Sequence, residues 1–206
     1  ETARLRAVVL GTAISNGPTP TKEEAYDPKS LEHILAGTYP IEADMVKEME
    51  AFNQVFQKYE VQVFRPEIIE NYNQIFTRDI GITIKDHVLL NKPAKKARTR
   101  EALLAKYIFF HHPMFAHWQK NIIELADSNQ SFLMPEEEED DRKTTLEGGD
   151  IMVVSDNHLL VGVSERTSAE AAAMITNVMF EKGLMEKVTI VRIPKKRDYM
   201  HIDTVY

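Results

Sequence analysis

The chain predicts an α/β fold assembled from repeated strand–strand–helix–strand units set radially, and three observations predict it. Asp79-Ile80-Gly81-Ile82-Thr83-Ile84-Lys85-Asp86-His87-Val88-Leu89-Leu90 is echoed by Asp150-Ile151-Met152-Val153-Val154-Ser155-Asp156-Asn157-His158-Leu159-Leu160 with one residue of slippage, each copy reading as strand, polar turn, strand. Each copy is followed by a helical tract and a further strand, which makes both units ββαβ. Finally, Tyr199-Met200-His201-Ile202-Asp203-Thr204-Val205-Tyr206 reads as the opening strand of another unit. Such units need neighbours to cover their faces, and a radial array closes on itself to protect its sheet edges. Three and a fraction units predict a toroid from which a sector is absent.

The elements follow in order. Residues 5–10 are apolar and β-rich, and the Gly/Pro/Thr/Asn composition of 11–21 predicts a loop. Over 42–59, Met45, Met49, Phe52, Val55 and Phe56 recur at spacings near three and four, which predicts an amphipathic helix with those side chains in the core. A strand over 61–64 completes an elaborated first unit. After the first hairpin, 100–126 predicts a helical tract broken at Pro113, then a short strand near 132–134. After the second, 168–182 is Ala-rich and helical, and 188–193 is a strand.

At 206 residues, 43% of them hydrophobic, the chain is expected to be a single domain with a buried core. Lys+Arg 25 against Asp+Glu 32 gives a net charge of -7, which opposes phosphate backbones and anionic lipid, so neither nucleic acid nor membrane is an expected partner. No apolar run approaches the roughly 20 residues of a spanning helix, and the start lacks the apolar stretch of a signal peptide. A soluble, cytoplasmic protein is expected. The absence of cysteine excludes disulfides, zinc–thiolate sites and thiol catalysis from within these residues.

The chemistry sits where each unit begins. On a strand at 201–206, His201 and Asp203 would project from the same face, pairing a group that titrates near neutrality with a carboxylate; a polar strand face with a chance histidine is the plain alternative. Equivalent positions of a radial array converge on its axis, so Asp79, Glu147 and Asp203 would meet there with His201. Their mutual repulsion would be relieved by a cationic ligand, and bidentate pairing makes a guanidinium the natural candidate. Arg78-Asp79 fits an ordinary ion pair as well as a functional one. Gly148-Gly149 fits either a close backbone approach or a plain hairpin.

Asn73-Gln74-Ile75-Phe76-Thr77-Arg78-Asp79, Leu146-Glu147-Gly148-Gly149-Asp150, Gly162-Val163-Ser164-Glu165-Arg166-Thr167 and Met200-His201-Ile202-Asp203-Thr204-Val205 resemble, in order, the motifs of the arginine deiminase branch of the guanidino-group modifying superfamily. That superfamily also holds dimethylarginine hydrolases and amidinotransferases. The resemblance implies a five-bladed α/β propeller (pentein) of ββαβ repeats, incomplete in this chain, and a deiminase-type hydrolysis of arginine or a related guanidino compound with no metal or organic cofactor. A cysteine thiolate attacks the guanidinium carbon in such enzymes, and water resolves the covalent thioether. By resemblance, Asp79 and Asp203 grip the guanidinium, Glu147 orients the site, and His201 moves protons. Asn73, Phe76, Arg78 and Arg166 stand among the substrate-binding positions, with Arg166 suited to an α-carboxylate. A further carboxylate-binding arginine is expected at Arg98 or Arg100. The nucleophile is expected beyond Tyr206, roughly 90 residues on judged from the repeat length, so this chain alone is expected to be inactive. Amidino transfer to an acceptor amine and a non-catalytic binding propeller are the alternatives, and homo-oligomerisation is left open.

Two further features carry weaker expectations. His111, His112 and His117 lie in an aromatic-rich stretch that reads as packing rather than a metal site. The block Glu136-Glu137-Glu138-Glu139-Asp140-Asp141 reads as a solvated loop.

Overall fold

A computed structural model describes residues 4–25, 28–94, 98–111, 113, 117, 119–125, 144–196 and 199–206. The chain divides into two compact units, Leu5–Thr77 and one comprising Arg78–Tyr206.

In the first unit, β1 (Ala7–Val9) pairs in parallel with β2 (Gln62–Phe64). A parallel pair requires a crossover, here supplied by α1 (Pro28–Ala36) and α2 (Glu42–Lys58). The expectation that the apolar face of α2 is core is only partly met. Met45, Met49 and Phe56 are partly buried, whereas Phe52 is 50% and Val55 48% exposed. Two three-residue strands are too short to cover a helix of about 25 Å. Phe52 and Phe56, one turn apart, shield each other at 4.6 Å between ring centroids.

The second unit holds both sequence copies, each folded as ββαβ. In the first, β3 (Gly81–Ile84) and β4 (His87–Leu90) form an antiparallel hairpin. The chain then crosses through α3 (Thr99–His111) to β5 (Ile122–Glu124), parallel to β4. In the second, β6 (Ile151–Ser155) and β7 (His158–Val163) are antiparallel, and α4 (Ala169–Glu181) leads to β8 (Lys187–Arg192), parallel to β7. The one-residue slip has a structural counterpart: the register shifts between Val153 and Ser155, a bulge that β3 lacks.

One core runs through both copies. Ile82, Ile84 and Leu89 of the first and Ile151, Leu159 and Val161 of the second pack with Ala171, Ala172, Ile175 and Met179 of α4. The two alanines let α4 lie close on its sheet, and Ser168 caps it by accepting the Ala171 N–H (3.1 Å). Lys92 and Leu146 exchange both backbone hydrogen bonds (2.9 and 2.7 Å), joining the copies just before Glu147.

Three expectations require correction. The helical tract does not reach residue 126: α3 ends at His111, ahead of Pro113, and Ile122–Glu124 is a strand because its β-branched pair lies alongside Val88 and Leu89. The strand expected near 132–134 and the acidic block lie outside the described residues, as does His112. His111 and His117 are exposed rather than packed, His111 resting on Tyr107 at 4.5 Å. At the end of the chain there is no strand but a 3-10 turn, Ile202–Thr204. Its polar groups are satisfied locally and by one carboxylate: Thr204 donates to the His201 carbonyl through Oγ1 (2.6 Å), and the Ile202 N–H donates to Asp150 Oδ1 (2.9 Å).

Candidate active site

The turn, not strand alternation, sets His201. Its backbone is extended (φ -135, ψ 162), and the turn that follows buries its ring to 4% exposure while Asp203 stays partly solvated. The ring lies on the backbone of Gly149, where any Cβ would overlap it. Gly148 is as constrained, because a Cβ there would overlap the Arg78 carbonyl and approach Asn91 Nδ2 at 2.8 Å. Close approach, not hairpin geometry, therefore explains the glycine pair; neither residue has a positive φ.

His201 Nε2 donates to Glu147 Oε2 at 2.9 Å, and its Nδ1 lies 3.9 Å from Asp79 Oδ1. Glu147, 1% exposed, also accepts from Ala94 N (3.0 Å) and lies 3.6 Å from Arg166 Nη1. Asp79 ends a 3-10 turn, Thr77–Asp79, whose carbonyls at 78 and 79 both accept from Asn91 Nδ2 (3.3 and 3.0 Å). Its Oδ2 takes a 2.7 Å bond from Arg98 Nη1, and Arg98 donates through Nε and Nη2 to Glu101 Oε2 (3.1 and 3.0 Å). Asp203 sits 3.5 Å from Arg78 Nε, and Arg78 also donates to the Ile151 carbonyl (2.9 Å).

Thus Asp79, Glu147 and His201 do come together, with Arg98 and Arg166 on the two carboxylates. The guanidinium expected from a ligand is in part supplied by the protein. Asn73 and Phe76 belong to the other compact unit, where both are exposed and Asn73 Oδ1 accepts from Ile75 N (3.1 Å). The Arg100 side chain lies outside what is described.

The electrostatics follow from burial and pairing. Burial alone would lower the His201 pKa, but the Glu147 hydrogen bond and the charges of Asp79, Asp150 and Glu147 outweigh it and hold the ring above its ordinary value. Burial likewise works to raise Glu147, yet the His201 bond, the Arg166 charge and the Ala94 N–H leave it lowered. In Asp203, Asp150 and Glu101 burial prevails and the pKa is raised. His201 therefore holds its proton to a higher pH than a free imidazole does, with the Glu147 carboxylate behind it. One atom from each of Asp79, Glu147 and His201 lies within 4.8 Å of the others, a spacing a cation could bridge, but Glu147 and His201 bind each other and Asp79 binds Arg98.

Sequence reasoning gave no role to Asp150, Ser164, Thr167, Asn91 or Glu101. Asp150, 0% exposed, accepts from Ser164 Oγ (2.6 Å) and from the Ile202 amide, and Thr167 Oγ1 nearby accepts the Glu147 N–H. Gly162 makes room for it, since a Cβ there would stand 2.5 Å from Asp150 Oδ1. The signal was present: all three side chains lie inside the quoted motifs, and Asp150 aligns with Asp79 in the repeat.

Comparison with known proteins supplies the fold and the family. The chain resembles the solved dimethylarginine dimethylaminohydrolase of Pseudomonas aeruginosa with a TM-score of 0.60 at 16% identity, covering 93% of this chain and 62% of that one. It resembles the inosamine-phosphate amidinotransferase of Streptomyces griseus with a TM-score of 0.61 at 17% identity, covering 95% and 61%. At such identities the likeness speaks to the fold, which is the α/β propeller of the guanidino-group modifying enzymes. The arginine deiminase family profile matches residues 23–206, and the chain belongs to that family. It is 36% identical over 135 residues to an arginine deiminase of Borrelia garinii subsp. bavariensis, covering 65% of this chain and 29% of that protein. It is 33% identical over 160 residues to one of Oenococcus oeni, covering 77% and 35%. The chain thus spans about a third of the length of these curated relatives.

Proposed function

We propose that the protein, with a thiolate supplied from outside these 206 residues, hydrolyses the guanidino group of arginine or a close analogue to a ureido group and ammonia. The observation that carries the proposal is the buried His201, hydrogen-bonded to Glu147 and facing Asp79, in a chain whose family is arginine deiminase. Asp79 and Asp203 bind the guanidinium nitrogens, and Arg166 holds the far end of the substrate. Asn73, Phe76 and Arg78 border the substrate, and either Arg98 or Arg100 meets its α-carboxylate.

The steps balance around one proton carrier. Thiolate attack on the guanidinium carbon forms the C–S bond, and protonated His201 gives its proton to the departing nitrogen, so that ammonia leaves and the amidino-thioether remains. Neutral His201 then takes a proton from water as its oxygen attacks the same carbon. Collapse expels the thiolate, the remaining hydroxyl proton leaves to solvent, where ammonia is released as ammonium, and the ureido product remains. The raised His201 pKa suits the first step, and the Glu147 carboxylate stabilises the ring once water has reprotonated it. No metal or organic cofactor enters this scheme.

The test is citrulline and ammonia release from arginine by the full-length protein. His201→Ala is expected to lower kcat by roughly 10²- to 10⁴-fold, the usual contribution of a positioned acid–base group. Turnover unchanged by the substitution removes His201 from this role. Product formation that depends on an added acceptor amine instead identifies an amidinotransferase, and arginine binding without turnover identifies a binding protein.

A further inference from the structure

We propose that Asp150 is a positioning residue, a clasp that fixes the His201 turn, the Glu147 backbone and the Arg166 loop against one another. The proposal rests on the deiminase reading for its functional meaning, because these three segments would hold the acid–base group, its carboxylate partner and the substrate's far end. A carboxylate is acceptor-only and offers about four lone-pair sites, so it can gather donors from several segments at once. Here the Ile202 amide donates to Oδ1 (2.9 Å), and the Ser164 hydroxyl donates to Oδ2 (2.6 Å). The Asp150 backbone N–H in turn donates to the Glu147 carbonyl (3.1 Å).

Each donor is tied onward. Ser164 Oγ accepts the backbone N–H groups of Arg166 (2.9 Å) and Thr167 (3.2 Å), which shapes the loop carrying the Arg166 guanidinium. Thr167 Oγ1 accepts the Glu147 N–H (3.2 Å). Ile202 follows His201 directly. Asp150 itself is 0% exposed, and its carboxylate takes hydrogen bonds from Ser164 and Ile202 rather than from His201 or an arginine, which separates it from Asp79, Glu147 and Asp203. Beside its charge, which acts on His201, its effect is geometric: His201, Glu147 and Arg166 keep one separation only while the Ile202 amide and the Ser164 hydroxyl both donate to one buried group.

Two variants of the full-length protein test the clasp. Asp150→Asn keeps the shape but replaces one acceptor oxygen by an N–H₂ group, which must face either the Ile202 amide or the Ser164 hydroxyl. Ser164→Ala releases only the loop of Arg166. For Asp150→Asn we expect backbone amide exchange over 200–204 to accelerate about tenfold or more, with exchange in α4 unchanged, and kcat to fall roughly 10- to 100-fold through misplacement of the reacting groups. For Ser164→Ala we expect KM for arginine to rise more than kcat falls, with 200–204 protected as in the wild type. Wild-type exchange over 200–204 in Asp150→Asn overturns the proposal. So does Ser164→Ala loosening 200–204 as well as its own loop, which is also the deciding result if Asp150→Asn does not fold. Failure of the wild type to turn over arginine would remove the deiminase reading, while the exchange pattern still decides on the clasp.

Discussion

The two ββαβ copies begin alike, with Asp79-Ile80 and Asp150-Ile151, and yet they put their aspartates to opposite uses. Asp79 faces His201 and Arg98, charged groups of the candidate site; Asp150 is sealed in, met by one hydroxyl and one amide. The helices differ in the same sense. The α4 helix buries Ala171, Ala172, Ile175 and Met179 completely, whereas α3 leaves Leu104, Tyr107 and Ile108 between 40% and 63% exposed. The difference lies in the helices: Glu101, buried among the described residues of α3, serves Arg98 rather than the core. A repeat duplicates a backbone plan; the neighbours of each copy decide what an identical residue does.

The strongest attempt to break this comparison is Gly148→Ala at the junction of the copies. Because the new methyl would overlap a backbone carbonyl, that of Arg78, relaxation is costly and we expect a loss of about 3 kcal/mol or more, read by denaturant unfolding. Next come the helices. Ile175→Ala should cost about 2–5 kcal/mol, and Leu104→Ala well under that, about 1 kcal/mol or less; equal losses would mean that α3 packs as firmly as α4.

The smallest effect concerns pH. The raised His201 adds stability that is complete below its ordinary 6.5 and is lost as pH rises through its higher folded value. The lowered Glu147 adds stability that is present above its ordinary 4.5 and is lost as pH falls through its lower folded value. Between 4.5 and 6.5 both contributions hold. Glu147→Gln should lower the His201 midpoint measured by NMR and flatten the Tm–pH curve at both edges of that window. An unmoved midpoint would assign the upward shift to Asp79 and Asp150 instead.

Much of this was legible in the sequence. Asp79, Glu147 and His201 could be named because their residue types announce chemistry and the repeat announces convergence. The hairpins were legible because alternation and turn residues are local. Asp150 was not, since burial by Ser164, Thr167 and Ile202 is a property of segments up to 52 residues away and nothing in Asp-Ile distinguishes it from its twin. The apolar stripe of α2 was legible, but how much sheet would lie beneath Phe52 and Val55 was not. The 3-10 turn at 202–204 escaped notice because Met-His-Ile-Asp-Thr alternates like a strand; the Asp150 carboxylate and the Thr204 hydroxyl draw it into a turn.

Gly162 adds a historical consequence. Its missing side chain is the space in which the Asp150 carboxylate stands, so the two positions are epistatic. Alanine at 162 would meet both the Asp150 carboxylate and, at 2.9 Å, the Ile202 Cβ, so it needs a small residue at 150 and a shift of the Ile202 turn, and aspartate at 150 needs 162 bare. A lineage that fixed alanine at 162 first would find the route back to aspartate closed, and a double-mutant cycle over the pair would show the two changes to be far from additive.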